Sequence, residues 1–263
     1  RSALQAFDLR RPDYHPVSRT AEGLDLAALE RAFEAGAKVF YLVATGHNPT
    51  GGVLADDERR AVLDLAARHD AWILDDDAYG EVCFGERPAP LRSFGRHLDR
   101  VVHLGSFSKV LAPGLRVGWL AGAPALVKEA VRVKSAEDLE TATLTQRVLA
   151  RWLDAHDLDA HVSRCITVYR ERRDVLLDAL RAALPSLPVA TPEGGFSLLL
   201  RVPGADARAL LPRAMAAGVA FEPALPYFVG GGEPGAIRVS FSNVAPDDLR
   251  EAVRRLAKVV RDT

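Results

Sequence analysis

The stretch DDERRAVLDLAARHDAWILDDDAY, residues 56–79, decides the fold. Its first part, residues 56–69, carries apolar residues at 62, 63, 65 and 66, which is the spacing of an amphipathic helix. Its second part, residues 71–75, is a short apolar run that leads into three aspartates, which is typical of a buried strand that meets a polar edge. A helix followed directly by a buried strand is the repeating unit of a parallel α/β sheet.

The same alternation extends on both sides of this stretch. It predicts a helix over 24–36, a strand that begins at residue 38, and further strands over 101–105 and 117–121. Alternating helices and strands imply an α/β fold with a mostly parallel sheet flanked by helices. In such a sheet we expect the ligand site at the carboxyl edge of the strands.

Beyond residue 124 the pattern changes. Residues 124–184 are predicted to be helical, with one long charged helix near 158–184. The remainder predicts strands near 187–191, 195–202 and 237–242 and helices at 205–217 and 246–261. We therefore predict a large α/β domain over residues 1–157 and a smaller α+β C-terminal domain over residues 158–263.

The composition argues against several classes of protein. The 263 residues carry 34 Lys and Arg against 35 Asp and Glu, and these charges are dispersed, so we expect no nucleic-acid partner. No apolar stretch approaches the ~18 residues that a membrane span needs, and no signal-peptide pattern is present. Cys83 and Cys165 lie far apart and the histidines show no ligand pairing, so we expect no metal site. The expected location is the cytoplasm, a reducing compartment, with no membrane contact.

Polar motifs follow three of the predicted strands. His-Asn-Pro-Thr-Gly at 47–51 comes after the apolar run 39–44, and such a turn sets the Asn48 amide at the sheet edge. Three aspartates end the next strand, and because like charges this close repel, one of them needs a cationic partner. Gly-Ser-Phe-Ser-Lys at 105–109 follows the strand at 101–105.

Lys109 is the candidate reactive group. A lysine amine between small residues and ahead of an arginine suits a protein that holds a carbonyl compound as a Schiff base, provided that its neighbours keep it deprotonated. The alternative is an ordinary solvated lysine after a strand. The two polar motifs upstream favour the reactive interpretation.

These motifs are similar to those of a known family. The residues concerned are Asn48-Pro49-Thr50-Gly51, Asp76-x-Ala78-Tyr79, Ser106-x-Ser108-Lys109 and Arg116. In this order they resemble the fold-type-I pyridoxal-phosphate (PLP) enzymes, specifically the class I/II aminotransferases. Within that family they look most like the branch that contains 2-aminoadipate, kynurenine and broad-range aminotransferases, and also like the aminotransferase-like domain of certain bacterial transcription regulators. The resemblance runs from about residue 1 to residue 261.

The resemblance implies the residues that would bind and use the cofactor. Lys109 would form the Schiff base with PLP and, once substrate frees its amine, would move the proton between the substrate α-carbon and the cofactor. Asp76 would face the pyridine nitrogen and keep it protonated; the alternative for this aspartate is a helix N-cap. Asn48 and Tyr79 would hydrogen-bond the phenolic oxygen of PLP, and the alternative for Tyr79 is an ordinary core position.

The resemblance also implies a phosphate site. Ser106, Ser108 and Arg116 would be its ligands, and arginine suits this role because its planar fork pairs two phosphate oxygens at once. The intervening Pro113-Gly114 turn brings the arginine back toward the serines.

The substrate would be held by the C-terminal part of the chain. Arg238, in the predicted strand at 237–242, matches the arginine that binds the substrate α-carboxylate in the family, and Asn48 would bind substrate as well. Gly194-Gly195 matches a family loop where the backbone approaches the substrate.

The implied function is that of a PLP-dependent aminotransferase, which transfers an amino group from an L-amino acid to a 2-oxo acid by a ping-pong mechanism and is expected to be a homodimer. Two alternatives stay open, an effector-binding domain of a transcription regulator and another PLP enzyme such as a β-lyase. Residues 2–7 resemble the middle of the family's large domain, so we expect its N-terminal part to be missing here. That part supplies phosphate donors at a helix N-terminus, and a chain of these 263 residues is expected to bind PLP weakly.

Overall fold

The computed structural model describes residues 2–20, 23–95 and 97–262, and they form two compact units. The central unit comprises Val17–His47 and Gly52–Thr167. The C-terminal unit comprises the residues up to Pro16, the short segment Asn48–Gly51, and the chain from Val168 onward. The domain boundary that we place between residues 157 and 158 stays a prediction.

The described residues form eight α-helices and nine strands. The helices are α1 (Ser2–Asp8), α2 (Leu26–Glu34), α3 (Asp56–Arg68), α4 (Pro124–Glu137), α5 (Thr143–Ala155), α6 (Leu158–Ala183), α7 (Ala207–Ala216) and α8 (Pro246–Arg261). The strands are β1 (Arg19–Thr20), β2 (Gly23–Leu24), β3 (Val39–Leu42), β4 (Trp72–Asp76), β5 (Val101–Ser106), β6 (Gly118–Ala121), β7 (Ser197–Arg201), β8 (Glu222–Pro223) and β9 (Ala236–Ser240).

The central unit is built on a four-stranded sheet in the order β3-β4-β5-β6. The pairings of β3 with β4 and of β4 with β5 are parallel, whereas β6 pairs antiparallel with β5 at the sheet edge. The predicted α/β fold with a mostly parallel sheet is therefore confirmed. Because parallel strands end at one edge, the polar residues after β3, β4 and β5 emerge on the same side of this sheet.

Helices α2 and α3 supply the apolar core beside this sheet. Helix α2 begins where the Asp25 carboxylate accepts a hydrogen bond from the N–H of Ala28 at 2.8 Å, and α3 begins with three acidic residues that suit a helix N-terminus. Their apolar faces pack with the strand residues in one buried cluster that includes Leu29, Phe33, Leu42, Val62, Leu63 and Ile73.

The C-terminal unit contains a three-stranded antiparallel sheet in the order β7-β9-β8. Strand β9 lies in the middle, so Arg238 at its centre has Leu199 of β7 on one side and Glu222 of β8 on the other. Leu198, Leu200 and Ile237 are fully buried, and the intervening Leu199 and Ala236 are buried as well, so this sheet is covered on both faces.

One predicted strand is wrong. Residues 187–191 form an irregular segment, and the physical reason lies in Pro188 and Pro192, because proline has no N–H to donate to a sheet ladder. The two-residue strands β1, β2 and β8 were not predicted, because a pair of residues is too short to show a period. Within the described part of the chain, no helix combines the length and the apolar character that crossing a membrane requires.

Candidate functional site

Asp76 lies at the carboxyl end of β4 and is held by a tyrosine of the neighbouring strand. The Tyr41 hydroxyl donates to Asp76 Oδ2 at 2.6 Å. Burial, and then the negative charge of Asp76, raises the pKa of Tyr41 well above its ordinary value, so this hydroxyl stays a donor. Residues 78–81 form turns, so Asp76 is not a helix N-cap.

Lys109 lies in the turn that follows β5. Its Nζ is 5.7 Å from the centroid of the Tyr79 ring, within the range of a cation–π contact. Tyr79 is 9% exposed, whereas Lys109 is only partly buried. The lysine amine therefore contacts the face of the Tyr79 ring on one side, and the side chain remains partly exposed to solvent.

The segment between β5 and Lys109 is shaped by an aromatic residue of β6. The Trp119 ring packs directly over Gly105, where an added Cβ would stand 2.0 Å from the ring, so only glycine fits at this strand end. Beyond it the Ser106 hydroxyl accepts a hydrogen bond from the N–H of Ser108 at 3.1 Å. This contact fixes a tight hydroxyl-bearing turn immediately before the lysine.

Arg116 approaches this turn through the antiparallel pairing of β5 with β6. Ser106 pairs with Gly118, and the N–H of Phe107 donates to the Val117 carbonyl, so the pairing continues past the strands toward Arg116. Arg116 has left-handed backbone angles, with φ of 53°, and its guanidinium donates to the Pro113 carbonyl. Its side chain is exposed, so it presents a cation beside the serine turn.

The other two aspartates of β4 and its exit belong to a different cluster. Because side chains alternate along a strand, Asp75 and Asp77 point to the face opposite Asp76. Asp75, only 1% exposed, accepts from His103 Nδ1 at 3.0 Å, and Asp77 Oδ2 lies 3.9 Å from His103 Nε2. The expected cationic partner of the aspartates is thus His103, which sequence inspection did not single out.

Burial and mutual repulsion perturb the protonation of this cluster. Burial first, and then the charge of Asp75, raises the pKa of Asp77 to about 6. The hydrogen bond with Asp75 raises the pKa of His103, although burial acts in the opposite direction. The hydrogen bond from His103 therefore offsets part of the cost of placing two carboxylates side by side.

Arg59 is a buried cation, 1% exposed, that fixes the backbone on both sides of the Asn-Pro turn. Its guanidinium donates to the carbonyl of Ala44 at 3.1 Å, to the Thr45 hydroxyl at 2.9 Å and to the carbonyl of Leu54 at 2.9 Å. Arg59 on α3 thus hydrogen-bonds both ends of the loop that contains residues 48–51.

In the C-terminal unit, Arg238 lies between two polar partners. Its Nε donates to Asn48 Oδ1 at 2.9 Å and its Nη1 donates to Glu222 Oε2 at 3.2 Å. The same Glu222 oxygen also accepts from the Tyr227 hydroxyl at 3.0 Å. Asn48 and Arg238 are therefore in direct contact, and the family resemblance implies that both bind the substrate.

The turn that carries Asn48 is held by the loop before β7. The Gly51 carbonyl accepts from the N–H groups of Glu193 and Gly194 at 2.8 and 2.9 Å. Gly51 has φ of 72°, and a Cβ added to it would stand 2.4 Å from Pro192 Cβ. Glycine is required here because both the backbone angle and the close approach exclude a side chain.

The predicted site residues are thus distributed over both units. Asn48 and Arg238 lie in the C-terminal unit, and the remaining six, which lie in the central unit, are Asp76, Tyr79, Ser106, Ser108, Lys109 and Arg116. Sequence inspection missed Tyr41, His103 and Glu222. For Tyr41 a signal was available, since a hydroxyl-bearing residue in an apolar strand next to Asp76 invites a hydrogen bond; for the other two none was.

Comparison with known proteins gives consistent matches. The family model "Aminotransferase class I and II" matches residues 5–256. Aromatic-amino-acid aminotransferase 1 of Thermococcus litoralis is 32% identical over 99% of this chain and 64% of its own length, and 2-aminoadipate transaminase of Thermus thermophilus is 35% identical over 98% and 66%. The crystal structure of LysN, the α-aminoadipate aminotransferase from Thermus thermophilus, complexed with N-(5'-phosphopyridoxyl)-L-leucine, superposes with a TM-score of 0.94 at 34% identity, covering 99% of this chain and 68% of that one. The chain spans about two thirds of the length of the curated relatives it matches.

Proposed function

Because the chain belongs to the class I and II aminotransferase family, we propose that it carries out PLP-dependent transamination, in which an L-amino acid and a 2-oxo acid exchange an amino group by a ping-pong mechanism. Pyridoxal 5'-phosphate is the cofactor. The observation that carries the proposal is the pair of polar side chains after adjacent parallel strands, namely the Tyr41-bound Asp76 on β4 and Lys109 beyond β5.

The donor set of the central unit fits this cofactor. Among the described residues Asp76 accepts only from Tyr41 and only through Oδ2, so Oδ1 is available to a cationic ring nitrogen. The hydroxyls of Ser106 and Ser108 and the exposed guanidinium of Arg116 have the chemistry that a phosphate group requires.

We assign the central chemical role to Lys109. When bound, PLP supplies an aldehyde that condenses with amines and a ring that withdraws electrons from the substrate α-carbon. Lys109 Nζ would attach the cofactor covalently and, once its amine is free, would move the proton between the substrate α-carbon and the cofactor. The Tyr79 ring beside Nζ limits the directions in which the amine can move.

Asp76 and its tyrosine act on the cofactor ring. A carboxylate next to a ring nitrogen favours the protonated ring, and the Tyr41 hydroxyl fixes the carboxylate plane. Asn48 and Tyr79 are proposed to donate to the phenolic oxygen. Asn48 is anchored for this by its contact with Arg238, which we assign to the substrate α-carboxylate.

Covalent labelling tests the proposal at its centre. The complete holoprotein is treated with borohydride, digested and mapped; we expect the cofactor label on Lys109 and on no other lysine. Replacement of Lys109 by alanine should abolish labelling and lower turnover at least about 100-fold, while Lys128→Ala, on α4 of the same unit, should change neither. A label on another lysine would contradict the assignment.

A half-reaction screen distinguishes the alternatives. The complete protein is mixed with a panel of L-amino acids, and conversion of the cofactor to its amine form is followed by absorbance. We expect conversion with at least one amino acid. Binding without conversion for every amino acid would favour an effector-binding domain, and the release of elimination products would favour a β-lyase.

Assembly and location belong to the same proposal. We propose a homodimer, supported by exposed large apolar side chains of the central unit such as Trp119, Val131, Val133 and Val148. Light scattering of the purified protein measures this directly. A cytoplasmic location is supported by the two free cysteines, Cys83 and Cys165, which suit a reducing compartment.

A further inference from the structure

Arg238 has an acidic neighbour that the proposed reaction does not use. Glu222 on β8 is the register partner of Arg238 on β9, and their side chains meet at 3.2 Å. The Arg238 side chain is 19% exposed and that of Glu222 30%, so the pair is neither fully solvated nor sealed. We assign Arg238 to the substrate carboxylate, and Glu222 competes with that carboxylate for the positive charge of the arginine. Because this competition weakens substrate binding, we expect Glu222 to have a function that offsets the loss.

The hydrogen bonds indicate what this role is. A guanidinium is a rigid plane with five N–H donors. Asn48 takes the Nε donor and Glu222 takes one Nη1 donor, so the plane is held at two separate nitrogens. In the described part of the chain Arg238 donates nowhere else, which leaves the Nη2 donors and one Nη1 donor for a planar ligand.

Tyr227 holds Glu222 in turn. Its hydroxyl donates to Glu222 Oε2, the same oxygen that accepts from Arg238. A partly exposed glutamate has free torsions, and this second donor keeps its carboxylate where it meets the arginine. The series Tyr227–Glu222–Arg238–Asn48 thus extends from the turn after β8, across two strands of the sheet, to the Asn-Pro turn.

We propose that Glu222, held by Tyr227, is a positioning residue that orients Arg238 for the α-carboxylate of the substrate. This inference rests on the proposed function, since it assumes that Arg238 binds that carboxylate. Glu222 does not touch the substrate itself. Its contribution is realised equally in the bound ground state and in the transition state, so it acts on KM and leaves kcat nearly unchanged.

The test compares four variants of the complete holoprotein in steady-state transamination, with the amino acid as the varied substrate. Glu222→Ala removes the acceptor, Glu222→Gln retains an oxygen that accepts the same two hydrogen bonds, and Tyr227→Phe removes the second donor. Glu233→Ala is the matched control, because Glu233 pairs with Arg201 of the same sheet at 2.8 Å and both of these side chains are about half exposed.

For Glu222→Ala we expect KM for the amino acid to rise about ten-fold, the factor of one lost hydrogen bond to a charged group, with kcat changed less than about two-fold. Glu222→Gln should stay within about three-fold of wild type, and Tyr227→Phe should raise KM about three-fold. The control should leave both constants unchanged. If Glu222→Ala does not fold, the Tyr227→Phe result decides.

Three results would overturn the inference. The first is an unchanged KM in both Glu222→Ala and Tyr227→Phe. The second is a lowered KM in Glu222→Ala, which would mean that Glu222 competes with substrate and does not orient the arginine. The third is an equal effect of alanine and glutamine at position 222. Failure of the proposed function looks different, because the wild-type protein itself then shows no half-reaction.

Discussion

The contact between Tyr41 and Asp76 leads to a quantitative prediction about cofactor binding. The substitution Tyr41→Phe removes a single hydroxyl and retains the ring that fills this position in β3. The lost interaction is a 2.6 Å hydrogen bond to a carboxylate, and such charge-assisted bonds contribute about 1.5–3 kcal/mol. Asp76 is only partly buried, so water replaces some of the loss, and we expect a net cost of about 1.5 kcal/mol.

This cost should appear in the binding of PLP. With Tyr41 present, the orientation of the Asp76 carboxylate is fixed before the cofactor binds. Without Tyr41, the carboxylate has to be oriented during binding, and the lost torsional freedom weakens the affinity. A cost of about 1.5 kcal/mol corresponds to a roughly ten-fold weaker Kd for PLP. The assay is the titration of apoprotein with PLP, followed by absorbance or by quenching of tryptophan fluorescence.

A second tyrosine–aspartate pair supplies the control. The Tyr14 hydroxyl donates to Asp8 Oδ1 at 2.8 Å on the surface, so Tyr14→Phe removes the same type of bond away from the strand ends. We expect no change of Kd in that variant. An unchanged Kd in Tyr41→Phe, or equal changes in the two variants, would refute the argument that Tyr41 acts through Asp76.

Two further predictions concern the stability of the central unit. His103→Leu should lower the free energy of unfolding by about 3 kcal/mol, because it leaves the buried Asp75 carboxylate without its donor, whereas Asp75→Asn should cost less. Chemical denaturation at pH 7 measures both variants. A loss below about 1 kcal/mol for His103→Leu would contradict the role of His103 in this cluster. His47 has its pKa lowered to about 4, first by burial and then by Arg19, so the folded state binds fewer protons than the unfolded state. Stability is therefore expected to fall as pH decreases from about 6.5 toward 4, by roughly 2.5 kcal/mol at pH 4.5, and His47→Gln should flatten this dependence.

Most of the central unit was accessible to pattern reasoning. Helix α3 and strand β4 follow from the spacing of apolar residues, and the same holds for β5. The long helix α6, most of which belongs to the C-terminal unit, was predicted in the same way. In α3 the apolar positions 62, 63, 65 and 66 that predicted the helix are all buried, so local pattern and final structure agree there. The predicted strand at residues 187–191 was wrong because apolar residues alone do not make a strand. Pro188 and Pro192 have no backbone N–H to donate to a sheet.

The motif residues could be found from the sequence because each follows a strand in a short and characteristic run. Their partners could not. His103 is an ordinary-looking residue within β5, and its contact with Asp75 arises only because parallel pairing sets these two positions side by side. The position of Asp75 and Asp77 was equally inaccessible, since only strand pairing shows that their side chains meet that histidine on the face opposite Asp76.

The amino-acid order alone determined the fold class and the family, and it singled out Lys109 as the candidate reactive lysine, because helix period, strand length and strand-end motifs are local properties of the chain. The tertiary structure decided which side chains hold the functional groups in place. Tyr41 reaches Asp76 across 35 positions of sequence and Arg238 reaches Asn48 across 190, distances that only strand pairing and chain packing can close. Contacts of this kind depend on the register of a sheet, and register is a property of the folded chain as a whole.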